Sequence, residues 1–153
     1  MTSLAVGTPD FLRLAASRLR REPPDLSDAL ANPRGDHSLD AAFREAEEEI
    51  GLSRRFVHPL GFLDAYLSTS NYLVTPVVAR VEPGYTLALN PEEVAAAFEV
   101  PLGFLMDGAN HQLHEREWKG RLRRYYAMPY GEHYIWGVTA GIVRNLYERL
   151  YGP

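Results

Sequence analysis

The chain has 153 residues, no cysteine, 46% apolar and 24% charged residues, and a net charge of −4. This is enough for one globular domain with one core, and it excludes disulfides, thiolate metal sites and cysteine nucleophiles. The acidic balance argues against a nucleic-acid-binding surface. No apolar run is long enough to span a membrane or to serve as a secretory leader, so the expected compartment is the cytoplasm.

Thr8-Pro9-Asp10 opens a helix with a capping hydroxyl, a proline in the first turn and an acid against the dipole. Phe11, Leu12, Ala15 and Leu19 carry its apolar stripe to about Arg21, and Pro23-Pro24 ends it. Residues 11–21 are rich in arginine and poor in acids, as transit peptides are, but an ordinary N-terminal helix accounts for them. Residues 23–37 read as a loop. Ser38 caps the next helix, whose stripe is Leu39, Ala42, Phe43, Ala46 and Ile50, and Gly51 terminates it.

Beyond Gly51 the pattern shortens. Residues 55–67 and 72–82 predict strands, with a turn at Asn71 and an edge or bulge at Pro76. Pro83-Gly84 is a turn, and residues 92–100 fit helix or strand. Pro101 opens a short helix, Leu102 to Met106. Residues 111–118 and 121–128 form a hairpin about Lys119-Gly120, and a last helix runs from Gly137 to Tyr151. The order describes one α+β domain over residues 1–153.

The densest chemistry lies in residues 44–52, Arg-Glu-Ala-Glu-Glu-Glu-Ile-Gly-Leu. At about 100° per residue, Asp40, Arg44 and Glu47 fall opposite the apolar stripe. Glu45, Glu48 and Glu49 share a flank beside it, one helical turn apart. Three stacked carboxylates repel one another, and a divalent cation relieves that cost. Hard oxygen donors at this spacing suit Mg²⁺ or Mn²⁺. Taken alone, a glutamate run is more often a solvated face. His111, His114 and His133 could touch phosphates, but they are scattered and read as surface or hairpin residues. Tyr125, Tyr126, Tyr130 and Tyr134 read as core and edge-strand aromatics rather than an adenine clamp.

The nine residues resemble the helical half of the Nudix box, R-E-U-x-E-E-x-G-U, with Ala46 a small stand-in at the first aliphatic position. Chance would supply such a match about once in 10⁵ chains of this length. Residues 44–150 resemble the coenzyme A pyrophosphatase branch of the Nudix hydrolases. The segments are Pro59-Leu60-Gly61-Phe62-Leu63-Asp64, Thr75-Pro76-Val77-Val78-Ala79, Asn90-Pro91-Glu92-Glu93-Val94, Phe98-Glu99-Val100-Pro101-Leu102 and Tyr134-Ile135-Trp136-Gly137-Val138-Thr139-Ala140. Pro23-Pro24-Asp25-Leu26 and Pro33-Arg34-Gly35-Asp36-His37 look like the lead-in of bacterial members.

The resemblance implies an α/β/α sandwich with a mixed sheet. Residues 1–37 would be the lead-in, 38–52 the Nudix helix, and 53–153 the remaining strands and last helix. It implies Mg²⁺- or Mn²⁺-dependent hydrolysis of a diphosphate linkage in a small nucleotide such as coenzyme A or acyl-CoA. Glu45, Glu48 and Glu49 would hold the metal, Glu48 or Glu93 would take the proton of water, and Arg44 would orient the site.

The chain also departs from that pattern. Asp36 stands where the box's leading acid falls, but Leu30 stands where a glycine falls, and Gly-Gly occurs nowhere. The Arg- and Gly-rich segment of the coenzyme A branch is absent, as are the strands ahead of the box. The lead-in runs directly into Leu39-Asp40-Ala41-Ala42, as an internal deletion near residues 37–40 would leave it. The expected fold therefore lacks some central strands and exposes a sheet edge that a second copy could pair with. The expected activity is weak or nil, and the alternative is an impaired remnant serving as a binding or interaction domain.

Overall fold

The computed structural model describes residues 9–26 and 38–153, and the architecture is α+β. The Thr8 cap, Leu30, and Asp36 with the rest of the 33–37 lead-in segment lie outside the described residues. These residues group into two compact units, one of Leu19–Glu99 and one joining the chain up to Arg18 with Val100–Pro153.

The first unit holds the acidic helix and four short strands. Helix α2 spans Leu39–Ile50. (Helix α1, Pro9–Arg18, belongs to the other unit.) Strands β1 (Val57–Phe62) and β4 (Val77–Val81) pair antiparallel, as do β2 (Tyr66–Leu67) and β3 (Leu73–Val74). The two long strands expected over 55–67 and 72–82 are thus each broken in two. A 3₁₀ turn occupies 54–56, the chain leaves the ladder after Phe62, and Pro76, with no N–H to give, separates β3 from β4. The bulge sits at Pro59–Gly61 rather than at Pro76. Asn71 takes the expected turn with a left-handed φ of 63°.

Residues 92–100, expected as helix or strand, are neither. A turn bonded from Val94 N–H to Asn90 O is followed by irregular, largely exposed chain. Too few apolar side chains are buried there to stabilise a regular element.

The second unit is a three-stranded antiparallel sheet, β5 (Gln112–Trp118), β6 (Arg121–Tyr130) and β7 (His133–Trp136), in that order. Lys119 and Gly120, at φ 49° and 71°, make the left-handed two-residue turn that the hairpin required. Strand β7 has no counterpart in the sequence reading. Helix α3 (Leu102–Leu105) precedes the sheet, and α4 (Gly137–Tyr151) packs on β6 and β7. Helix α1 ends at Arg18, short of the expected Arg21. Arg20 instead forms a two-way backbone bridge with Phe62, at 3.0 and 2.8 Å, which outcompetes another helical turn. The Arg149 guanidinium donates to Arg18 O at 2.7 Å, satisfying a carbonyl at the end of α1.

Met128 and Leu150 are the largest fully buried side chains. Met128→Ala is expected to destabilise this unit by about 2–5 kcal/mol through lost burial and the cavity left behind. Both tryptophans of the chain, Trp118 and Trp136, lie in this unit, so urea unfolding followed by their fluorescence measures the change. A loss below about 1 kcal/mol would contradict the packing described.

Candidate active site

Helix α2 is fixed at both ends. The Ser38 hydroxyl accepts from Ala41 N–H at 3.2 Å, as the sequence required of a cap. At the other end Gly51 adopts φ 68°. Its N–H donates to Glu47 O at 3.0 Å, and Leu52 N–H reaches Ala46 O at 3.2 Å. The left-handed turn sends the chain back along the helix. There Arg54 pairs with Asp40 at 2.8 Å and lies 4.6 Å over the Phe43 ring. Phe43 and Ala41 are the buried members of the helix.

The acidic residues lie outside that core. Arg44, Glu45, Glu47, Glu48 and Glu49 are all exposed. Burial therefore does not separate Glu47 from the other three, although helix geometry still places Glu45, Glu48 and Glu49 on one flank. Arg44 Nε stands 3.8 Å from a Glu48 carboxylate oxygen, one turn ahead of it. In solvent such a pair contributes about 0.3–0.5 kcal/mol, a small part of what holds the helix.

The loop that carries Glu93 is tied to the end of α2. Ala88 N–H donates to Ile50 O at 2.9 Å and Asn90 N–H to Glu49 O at 2.8 Å. Glu93 sits in the turn that Asn90 begins: its N–H donates to Asn90 O, and the Asn90 side chain accepts from Glu92 N–H at 3.2 Å. This backbone tether is a connection that spacing alone did not show. Further along the loop the Tyr85 hydroxyl donates to Glu99 at 2.9 Å. That bond, with the carboxylate's charge, raises the phenol above its usual range.

The donor set of Glu45, Glu48 and Glu49 is hard, anionic and solvent-accessible, which fits Mg²⁺ or Mn²⁺ by chemistry. Their side chains have not converged. Among the described residues, no three acidic or histidine side chains stand together as a ligand cluster. Binding would require carboxylate rotation on a fixed helix face, which exposed glutamates allow.

The histidines lie elsewhere. His111 Nε2 meets Leu105 O at 2.7 Å, and Arg144 Nη1 donates to its Nδ1 at 3.3 Å. It also packs edge-on to Tyr147. His111 is thus a structural residue under α4. His114 stacks on Tyr125 at 5.5 Å, and His133 is exposed at the start of β7. Tyr126 and Tyr130 face packed elements, Arg144 and Phe104 respectively.

No protein-family model matches the chain. It is 37% identical over 121 residues to a protein of Photorhabdus laumondii named "Uncharacterized Nudix hydrolase NudL", a match covering 79% of this chain and 65% of that protein. Proteins of the same name from Yersinia enterocolitica and Yersinia pestis are 36% identical over 120 residues. Those matches cover 78% of this chain and 62% and 60% of the relatives. The chain thus spans just under two thirds of the length of these relatives. No helix among the described residues is long and apolar enough to cross a membrane.

Proposed function

The chain belongs to the Nudix hydrolase superfamily, and from that premise we propose that α2 binds Mg²⁺ or Mn²⁺ and serves hydrolysis of a diphosphate linkage. The proposed substrate is a small nucleoside diphosphate derivative, coenzyme A or acyl-CoA, acted on in the cytoplasm. Coenzyme A would yield 4′-phosphopantetheine and adenosine 3′,5′-bisphosphate. The observation that carries the reading is the acidic triplet on the exposed flank of a helix fixed at both ends, inside the matched sequence.

Glu45, Glu48 and Glu49 would hold the cation. When bound, it supplies a Lewis acid for the diphosphate and lowers the pKa of a coordinated water. Arg44 positions Glu48 from the preceding turn. Glu48 takes the proton of the attacking water, or Glu93 does so from the loop tied to Glu49 O.

Thermal unfolding against Mn²⁺ concentration tests the reading. A cation that binds only the folded state adds about 2.7 kcal/mol at a hundredfold excess over Kd, which raises Tm by several degrees. A Tm that does not move with Mn²⁺ while Ca²⁺ and Mg²⁺ also leave it unchanged would remove the metal site.

The second reading is an impaired remnant that binds without turning over. One observation favours it for this chain: no Gly-Gly precedes the helix. In that case Mn²⁺ raises Tm while coenzyme A is hydrolysed slowly or not at all.

A further inference from the structure

The strand ladder sorts the β5–β6–β7 residues onto two faces. One turns toward α4: Met128 is fully buried on it, and the Arg144 guanidinium lies 5.2 Å over the Tyr126 ring. The opposite face carries Arg116 and Trp118 from β5, Arg121, Arg123 and Tyr125 from β6, and Trp136 from β7. Trp118 is 49% and Trp136 53% exposed, and Tyr134 beside it is 51% exposed. Tyr125 meets Trp136 edge-on at 5.7 Å, and Tyr134 lies 6.4 Å from Trp136, so the rings form a continuous patch.

Charge on this face has one sign. None of its strand positions is acidic, because Glu115 and Glu117 alternate to the other face, where Glu115 bonds Arg124 at 2.7 Å. Arg116 stands directly opposite Arg123 in the ladder. Like charges in that position repel. The Arg123 Nε is buried with no hydrogen-bond partner, an expensive state for a guanidinium. An anion seated between the two arginines would relieve the repulsion between them. Rings flank the arginines on both sides, Trp118 at one end and Tyr125 with Trp136 at the other, and Arg116 stacks at 5.9 Å over Trp118. A ligand that alternates phosphates and planar bases matches this order better than a single nucleotide does.

We infer that this face of the β5–β6–β7 sheet binds single-stranded nucleic acid, with backbone phosphates on Arg116, Arg121 and Arg123 and bases stacked on Trp118, Tyr125 and Trp136. The net charge of −4, which argued against such a partner, belongs to the whole chain; this face is locally cationic.

The chain's only two tryptophans both lie on the face, so their fluorescence reports occupancy directly. Oligouridylate and oligothymidylate of about ten nucleotides are titrated at low salt with no divalent cation present, which keeps the result independent of α2. Saturable quenching that weakens with salt is expected. Arg116→Ala with Arg123→Ala should weaken binding about tenfold or more and lower the salt slope by about 2. Trp136→Leu should weaken it with the slope unchanged. Circular dichroism confirms that each variant keeps its sheet. Equal affinity for inorganic polyphosphate would show charge capture without base contacts and overturn the proposal. So would an absence of quenching, or sedimentation showing a second copy covering the tryptophans.

Discussion

Glu48→Gln is expected to lower metal-dependent hydrolysis of coenzyme A by about 100-fold or more, and to remove most of the Mn²⁺-dependent rise in Tm. Glutamine keeps the length, the hydrogen-bonding capacity and the helix propensity of glutamate. What it loses is the charge, which a cation site and a general base both require. The fold should be indifferent to the change. Glu48 is exposed, its pair with Arg44 is long at 3.8 Å, and removing one of three stacked carboxylates relieves repulsion. Loss of rate therefore cannot be read as loss of structure. Glu47→Gln is the matched control: it removes the same charge from the same helix at a position outside the flank, and it should change the rate less than about threefold. Product release followed by phosphate-sensitive chromatography, with each protein at saturating Mn²⁺, measures both. A Glu48→Gln protein as fast as its parent would sink the assignment. The parent rate is itself expected to be low. Family-like turnover in the unmodified protein would show that the missing glycine-rich segment is dispensable.

The span and both ends of helix α2 were legible because local chemistry decides them. Ser38 caps, and Gly51 can take a left-handed φ where other residues resist; of the expected stripe only Phe43 is buried, and Ala41, outside that stripe, is buried with it. The β5–β6 turn was legible for the same reason, since Lys119-Gly120 is a local device. What the sequence did not reveal depends on distant partners. Nothing within residues 19–21 announces that Arg20 will pair with Phe62 instead of extending α1. Strand β7 is four residues long and gains its stability from β6, so its own pattern was too short to stand out. The long strands split because interruptions at residues 63–65 and at Pro76 outweighed an apolar composition that looked continuous. At the site, the carboxylate flank follows from helix geometry. The link between Glu49 and the Glu93 loop does not, because it runs through backbone groups that carry no side-chain signature. The lateral order of charges on the β5–β6–β7 sheet was hidden as well, since opposing Arg116 to Arg123 requires the register.

That backbone link makes Gly51 the most sensitive single position near the site. Gly51→Ala is expected to cost about 2–4 kcal/mol, from two separable sources. The first is conformational: φ is 68°, and an L-residue there gives up about 1–2 kcal/mol. The second is steric and local to the site. A Cβ on residue 51 would stand 2.8 Å from Ala88 N and 2.9 Å from both Ala88 Cβ and Ala88 O, closer than such atoms approach. Ala88 blocks it with its backbone as well as its side chain, so the 88–90 segment must move away. The Ala88–Ile50 and Asn90–Glu49 bonds hold that segment to the helix end, and lengthening them loses about 1 kcal/mol each. The functional consequence follows from the same displacement. Glu93 moves with the loop while Glu45 and Glu48, carried by the helix itself, stay in place. Mn²⁺ binding through the helix should then survive in a protein of lower Tm, and any rate that depends on Glu93 should fall. Gly51→Asn, which tolerates the left-handed region but still carries a Cβ, isolates the steric part. If Asn restores full stability, the contact with Ala88 is not what limits the position. If Asn and Ala are equally destabilised, it is the approach of the loop to the helix end, rather than the backbone dihedral, that requires glycine here.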